Sequence, residues 1–277
     1  MTLRAAALSE VEGWRRHFHL LQVQVSNLRH ARRLLREACP EPVEGCARND
    51  TRLPMQKELY FAPETIHAKA QSMLASVSEF RRRHENIRFH PNRAALLVLD
   101  MQDYFLGPDS HAFVPSAPVI LPGIQSLVKV FAAYDRPVIF TRHINTPEDA
   151  GMMAKWWQSL IRPKAAGSKL ASGLDVSKGR IVLKSQYDAF HGTSLEADLR
   201  AGGVGEVVIT GVMTHLCCET TARSAFARGF EVFFIIDGTA TYTEAFHLAT
   251  LLNLSHGFAV PVLCGEILDV FKDVERC

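Results

Sequence analysis

From Arg93 onward the chain alternates short, continuous apolar runs with stretches of helical period. The runs cover 94–99, 137–141, 180–183, 206–210, 231–236 and 259–264. Most are apolar throughout rather than at every second position, as expected of parallel strands covered on both faces. Helices fit between them at 121–134, 193–201, 217–228 and 244–255. Strand and helix in alternation predict a three-layer α/β/α sandwich on a mainly parallel, doubly wound sheet. Ahead of it, Pro63-Glu64 opens a predicted helix with Ile66, Ala70, Met73, Leu74, Val77 and Phe80 on one face. Arg81-Arg82-Arg83 close that helix, where cations complement its dipole, and read as a solvated helix end rather than a nucleic-acid patch.

Three regions follow: 93–277 as the α/β domain, 55–92 as a helical N-terminal arm, and 1–54 as an extension that stands apart. The extension holds nine Arg, no Lys and six acidic residues, against 22 basic and 23 acidic residues in the remainder. It also repeats itself: Leu8-Ser9-Glu10-Val11-Glu12-Gly13 is echoed by Pro40-Glu41-Pro42-Val43-Glu44-Gly45. Such Val-Glu-Gly phrases resemble translated palindromic repeats found between bacterial genes, so Met55 is the expected start of translation. The competing reading is an Arg-rich helical arm around 28–37, and the six acids count against a transit peptide.

Composition narrows the classes of function. With 277 residues, 47% of them apolar, the chain is long enough to bury a full core. A net charge of +2 gives no electrostatic case for nucleic acid or an anionic membrane as partner. No apolar run approaches the ~18–20 residues that span a bilayer. Six cysteines, two adjacent and none in C-x-x-C spacing, make neither a disulfide framework nor a metal knuckle, and a reducing, cytoplasmic compartment is expected.

In doubly wound sheets the site lies beyond the carboxyl ends of the strands, so the polar residues there matter most. The first strand runs into Asp100, the third ends at Lys184, and the fourth leads through Gly211-Val212-Met213-Thr214-His215-Leu216 to Cys217-Cys218 at a helix start. A cysteine there feels the partial positive charge of the helix end, and a nearby ammonium is expected to favour its thiolate. A carboxylate can take the thiol proton and return it to a leaving group. Each residue has a plainer reading: a buried thiol as core, a strand-end Asp as a turn cap, a strand-end Lys as an exposed terminus. Their convergence on one sheet edge favours a cysteine nucleophile. Cys218, about 100° round the helix, should face packing.

These residues resemble the isochorismatase-like cysteine hydrolases, a family that includes isochorismatases, N-carbamoylsarcosine amidases and nicotinamidases. The resemblance covers about 93–268 and rests on Leu97-Val98-Leu99-Asp100-Met101-Gln102, on Lys184 with Tyr187-Asp188-Ala189-Phe190, and on Gly211 through Arg223. It implies an Asp100–Lys184–Cys217 triad, a cis peptide between Val212 and Met213, and an oxyanion hole from the N–H groups of Met213 and Cys217. Gln102, Phe105 and Tyr187 are expected to line the substrate pocket, with packing as the equal alternative for each, and Trp156-Trp157 to form a lid, a subunit contact or plain core. A homodimer or homotetramer acting on a small molecule, without a cofactor, is the expectation.

Isochorismatases resemble the chain in Met101-Gln102, Tyr104-Phe105, His215 and Cys218, but generally carry Gly at the position of Cys217 and His at that of Leu99. With Cys217 present, amide or carbamoyl C–N cleavage is the expected reaction. Vinyl-ether hydrolysis with Asp100 as general acid is the alternative, and a non-enzymatic scaffold a more distant one. Nicotinamidases carry a metal built from an Asp and paired histidines after the second strand. Here that region reads Thr141-Arg142-His143-Ile144-Asn145-Thr146-Pro147-Glu148-Asp149, so no metal is expected and nicotinamide is disfavoured.

Overall fold

The computed structural model describes residues 56–157 and 159–274. The expectations for residues 1–54, including a start at Met55, lie outside them. Six strands form one sheet: β1 (Ala94–Leu99), β2 (Val138–His143), β3 (Arg180–Lys184), β4 (Glu206–Val212), β5 (Glu231–Ala240) and β6 (Val260–Val262). Their order is β3-β2-β1-β4-β5-β6 and every neighbouring pair is parallel. Central β1 and β4 are buried at every position, which is why their sequences read as unbroken apolar runs. Edge strand β3 instead exposes Ile181 and Leu183.

Helices flank this sheet. We number them α1 (Ile66–Ser76), α2 (Ser78–Arg83), α3 (Asp103–Leu106), α4 (Ala117–Ala133), α5 (Met153–Trp156), α6 (Leu195–Ala201), α7 (Glu219–Ala227), α8 (Glu244–Gly257) and α9 (Cys264–Val274). Helices α4 and α9 pack on each other and on β5, joined by rings of Phe131 and Phe271 with centroids 5.0 Å apart. Helices α7 and α8 pack together beside β5 and β6.

Several elements differ from expectation, among them the following. The arm is two helices, α1 and α2, divided at Val77, whose ψ of 7° leaves the helical range while its side chain is buried. Helix α4 starts at Ala117, four residues earlier than its apolar pattern suggests, because it tolerates Pro122 in its interior. The last strand stops at Val262, short of the expected 264, and an additional helix, α9, follows it with Ile267 and Phe271 on its buried face.

The amino end of β4 carries an ionic anchor built on a buried carboxylate. Glu206, with no exposed surface, accepts from the His90 N–H at 2.8 Å and from Arg93 Nε at 2.7 Å. Arg93 also reaches Glu231 at 2.6 Å, tying the start of β5 to the same point. Among the described residues no helix is long and apolar enough to cross a membrane.

Candidate active site

The strand order reverses direction between β1 and β4, and the residues leaving these two strands lie side by side. Gly211 pairs with Leu99, and a Cβ there would stand 2.0 Å from the Leu99 carbonyl oxygen. Its φ of +109° is also one that only glycine adopts readily. This close approach brings the end of β4 against Asp100. The peptide Val212–Met213 is cis, and a π-helical turn over Thr214–Cys218 follows, presenting Cys217 before α7 begins.

Asp100 leaves β1 with φ of +51°, a left-handed conformation that Asp tolerates better than most residues. Thr141 of β2 holds it there: its Oγ accepts from the Asp100 N–H at 3.1 Å and donates to Asp100 Oδ1 at 2.6 Å. Lys184 closes β3 and reaches over the end of β2 to Asp100 Oδ2, 2.7 Å away, with Cys217 Sγ at 3.3 Å. All three side chains are buried. The expected triad residues are therefore brought together.

The charges follow from this geometry. Burial alone would raise the Asp100 carboxyl, but Lys184, then His143 and a hydrogen bond from Cys217, outweigh it and hold it below the usual range. Burial likewise opposes the Lys184 ammonium, and Asp100 with Cys217 overcomes it, so its pKa is raised. The thiol departs from expectation. Burial, reinforced by Asp100, pushes Cys217 up to about 12 against the opposing pull of Lys184. The resting site is a thiol beside a carboxylate–ammonium pair, and the base needed to activate that thiol is already ionised at its side.

Other expected residues sort differently. Gln102 is fully buried; its Nε2 donates to the carbonyls of His143 and Ser168, each at 3.0 Å, and its Oε1 accepts from the His143 N–H at 2.8 Å. Its amide clamps backbone rather than facing a ligand. Phe105 lies in the core, edge-on to Tyr104. Tyr187 is half-buried, couples electrostatically to Cys217 and Lys184, and its hydroxyl accepts from Trp157 Nε1 at 2.7 Å. Cys218 is wholly buried, its sulfur 4.0 Å from the Thr210 carbonyl, facing packing as expected.

Two residues of the site lay outside the sequence motifs. One is Thr141. The other is His143, which is in register with Lys184 and stands between it and β1. Its Nδ1 lies 3.2 Å from Lys184 Nζ and its Nε2 2.9 Å from Asn145 Oδ1. Burial, then the Lys184 charge, lowers it to about 4. The signal available for both was the period of two: Thr141 and His143, flanking Arg142 at the end of an apolar strand, share one face of the sheet.

Asp100, His143 and Cys217 offer ligand atoms within 4.8 Å of one another, but the Lys184 ammonium already stands among them. After β2, the Asn145 amide is engaged by Ser185 and Asp149, and both His143 nitrogens have partners within the protein. His90, Glu206 and Glu231 form a second cluster, bridged by the Arg93 guanidinium.

The isochorismatase domain model matches residues 94–264. Nicotinamidase 3 of Arabidopsis thaliana is 40% identical over 197 residues, 69% of this chain and 96% of that protein. A Bacillus subtilis isochorismatase is 30% identical over 189 residues, 66% of this chain and 59% of that relative's length. Among solved structures, a cysteine hydrolase from Pseudomonas syringae superposes with a TM-score of 0.64 at 26% identity, covering 67% of this chain and 95% of that one.

Proposed function

Since the chain belongs to the isochorismatase family of hydrolases, we propose that it cleaves the C–N bond of a small amide or carbamoyl compound through a Cys217 thioester. The observation that carries this reading is the buried contact of Lys184 with both Asp100, at 2.7 Å, and Cys217, at 3.3 Å. A thiol placed against an ionised carboxylate is the arrangement nucleophilic catalysis requires. The relative named a nicotinamidase and the solved relative described as a cysteine hydrolase lend support.

Asp100 takes the Sγ proton as sulfur attacks the carbonyl carbon, and Lys184 stabilises the sulfur as it gains charge. The oxyanion is received by the Met213 and Cys217 N–H groups. The C–N bond breaks as Asp100 passes its proton to nitrogen, releasing ammonia or an amine. Water then attacks the thioester, giving its proton to Asp100, and the carboxylic acid leaves as Sγ is reprotonated.

The test is a panel of nicotinamide, N-carbamoyl compounds and isochorismate, read by ammonia release and by mass analysis of the acyl-enzyme. Nicotinamide leads the panel because of the relative's name, although the missing paired histidines argue against it. Hydrolysis of isochorismate alone, undiminished in Cys217→Ala, would overturn the reading in favour of vinyl-ether chemistry, to which the B. subtilis relative points.

A further inference from the structure

Lys184 stands among more acceptors than it has protons. Its Nζ lies 2.7 Å from Asp100 Oδ2, 2.9 Å from the Gln186 carbonyl, 3.2 Å from His143 Nδ1 and 3.3 Å from Cys217 Sγ. An ammonium carries three donors, so these four acceptors must share them. The carboxylate and the carbonyl are the closest and keep theirs. The third proton is contested between His143 and Cys217.

We propose that His143 is a positioning residue, taking the third Lys184 proton while Cys217 is a thiol and releasing it when Cys217 becomes a thiolate. This rests on Cys217 being the nucleophile. A thiol sulfur is a weak acceptor and an imidazole nitrogen a good one, whereas an ionised sulfur outcompetes a neutral ring.

The surroundings of His143 hold it in the accepting form. Nδ1 can accept only if the ring proton is on Nε2, and Asn145 Oδ1 stands 2.9 Å from that atom. The Asn145 amide is oriented in turn, donating to the Ser185 carbonyl at 2.9 Å and to Asp149 Oδ1 at 3.4 Å. The charged and titratable groups that bear on the ring are Asp100 from the end of β1, Lys184 from β3, Cys217 from the π-helical turn and Asp149 from the loop after β2. Tyr187, from the loop after β3, bears on Cys217 and Lys184. Burial keeps the imidazole neutral, with its pKa near 4, so it remains an acceptor throughout the neutral range.

His143 favours the thiol; without it, the sulfur is the sole remaining taker for the third proton, and ionisation of Cys217 becomes easier. The experiment is the pH dependence of Cys217 alkylation by iodoacetamide on the full chain, located by peptide mass analysis, with Cys217→Ala as the blank. His143→Leu should move the profile about one pH unit lower, which is about tenfold faster alkylation at a fixed pH below the thiol pKa. His143→Gln, which restores an acceptor, should return it toward wild type. A residue that merely fills space would alter melting temperature and leave the alkylation profile in place.

An unmoved profile in folded His143→Leu, or one moved to higher pH, overturns the proposal. Should that variant fail to fold, Asn145→Ala frees the ring to turn its N–H toward Lys184 and should shift the profile in the same direction; an unmoved profile there overturns the proposal equally. Alkylation requires no turnover. A shifted profile in a protein that hydrolyses no amide would refute the proposed reaction, whereas amide hydrolysis with an unshifted profile would refute only the role of His143.

Discussion

At the scale of single residues, the balance of burial against charge decides how the site works. Because burial leaves Cys217 near 12, Lys184 does not hold a standing thiolate; it makes transient ionisation affordable. Lys184→Met should therefore lower acylation by about a hundredfold or more, and raising the pH to 10 should not restore it, since loss of the cation moves the thiol further up. Recovery of rate between pH 8 and 10 would contradict this. Cys217→Ala should abolish amide hydrolysis while Cys218→Ala, altering a core position, retains most of it; steady-state ammonia release separates the two. Thr141→Val removes the donor to Asp100 Oδ1. Hydrogen bonds to charged groups contribute about 1.5–3 kcal/mol, so a roughly tenfold or larger fall in kcat/KM is expected, with little change in a substrate's KM.

At the scale of elements, the strands were legible from their own apolar pattern, whereas the cis turn after β4 was expected only through the family resemblance. Continuous apolar runs located β1 and β4 because burial on both faces removes polar residues from them. The ends of those strands gave Asp100 and Cys217. Gln102 stayed open in the sequence because a polar residue beside a catalytic one can be a ligand contact or packing, and the fold shows its amide committed to three backbone groups. His143 stayed hidden because its role depends on β3 lying beside β2, a pairing between residues 41 positions apart. The turn after β4 depends on Gly211. Gly211→Ala would incur about 1–3 kcal/mol from its backbone conformation alone, before the collision with Leu99 is counted. We expect it to yield little soluble protein and no cooperative melt, a result readily checked by expression and calorimetry.

At the scale of the whole molecule, two buried neutral histidines make stability depend on pH. His247 of α8, wholly buried, meets the Tyr60 hydroxyl through Nδ1 at 2.9 Å, and burial lowers it to about 3. His143 lies near 4. Both folded values are below the unfolded reference of about 6.5. Their contribution is therefore intact above that pH and is lost as the pH falls toward 4, by about 1.4 kcal/mol per pH unit for each ring. His247→Gln, which cannot titrate, should flatten the fall in melting temperature between pH 6.5 and 4; an unchanged slope would show that other groups control it.

The anchor at Glu206 adds a division of labour along one strand. Strand β4 begins at an ionic rivet and ends at the nucleophile turn, with seven residues between these two ends inclusive of Glu206 and Val212. Arg93 is partly exposed, so solvent screens its pair with the buried Glu206, and His90 still serves that carboxylate when Arg93 is lost; Arg93→Met should therefore cost about 1–2 kcal/mol in a denaturant melt while leaving turnover per folded molecule unchanged. Thermal robustness and chemistry thus occupy opposite ends of the same strand. A lineage of such proteins could retune the temperature at which it lives by altering one end, without its catalysis registering the change.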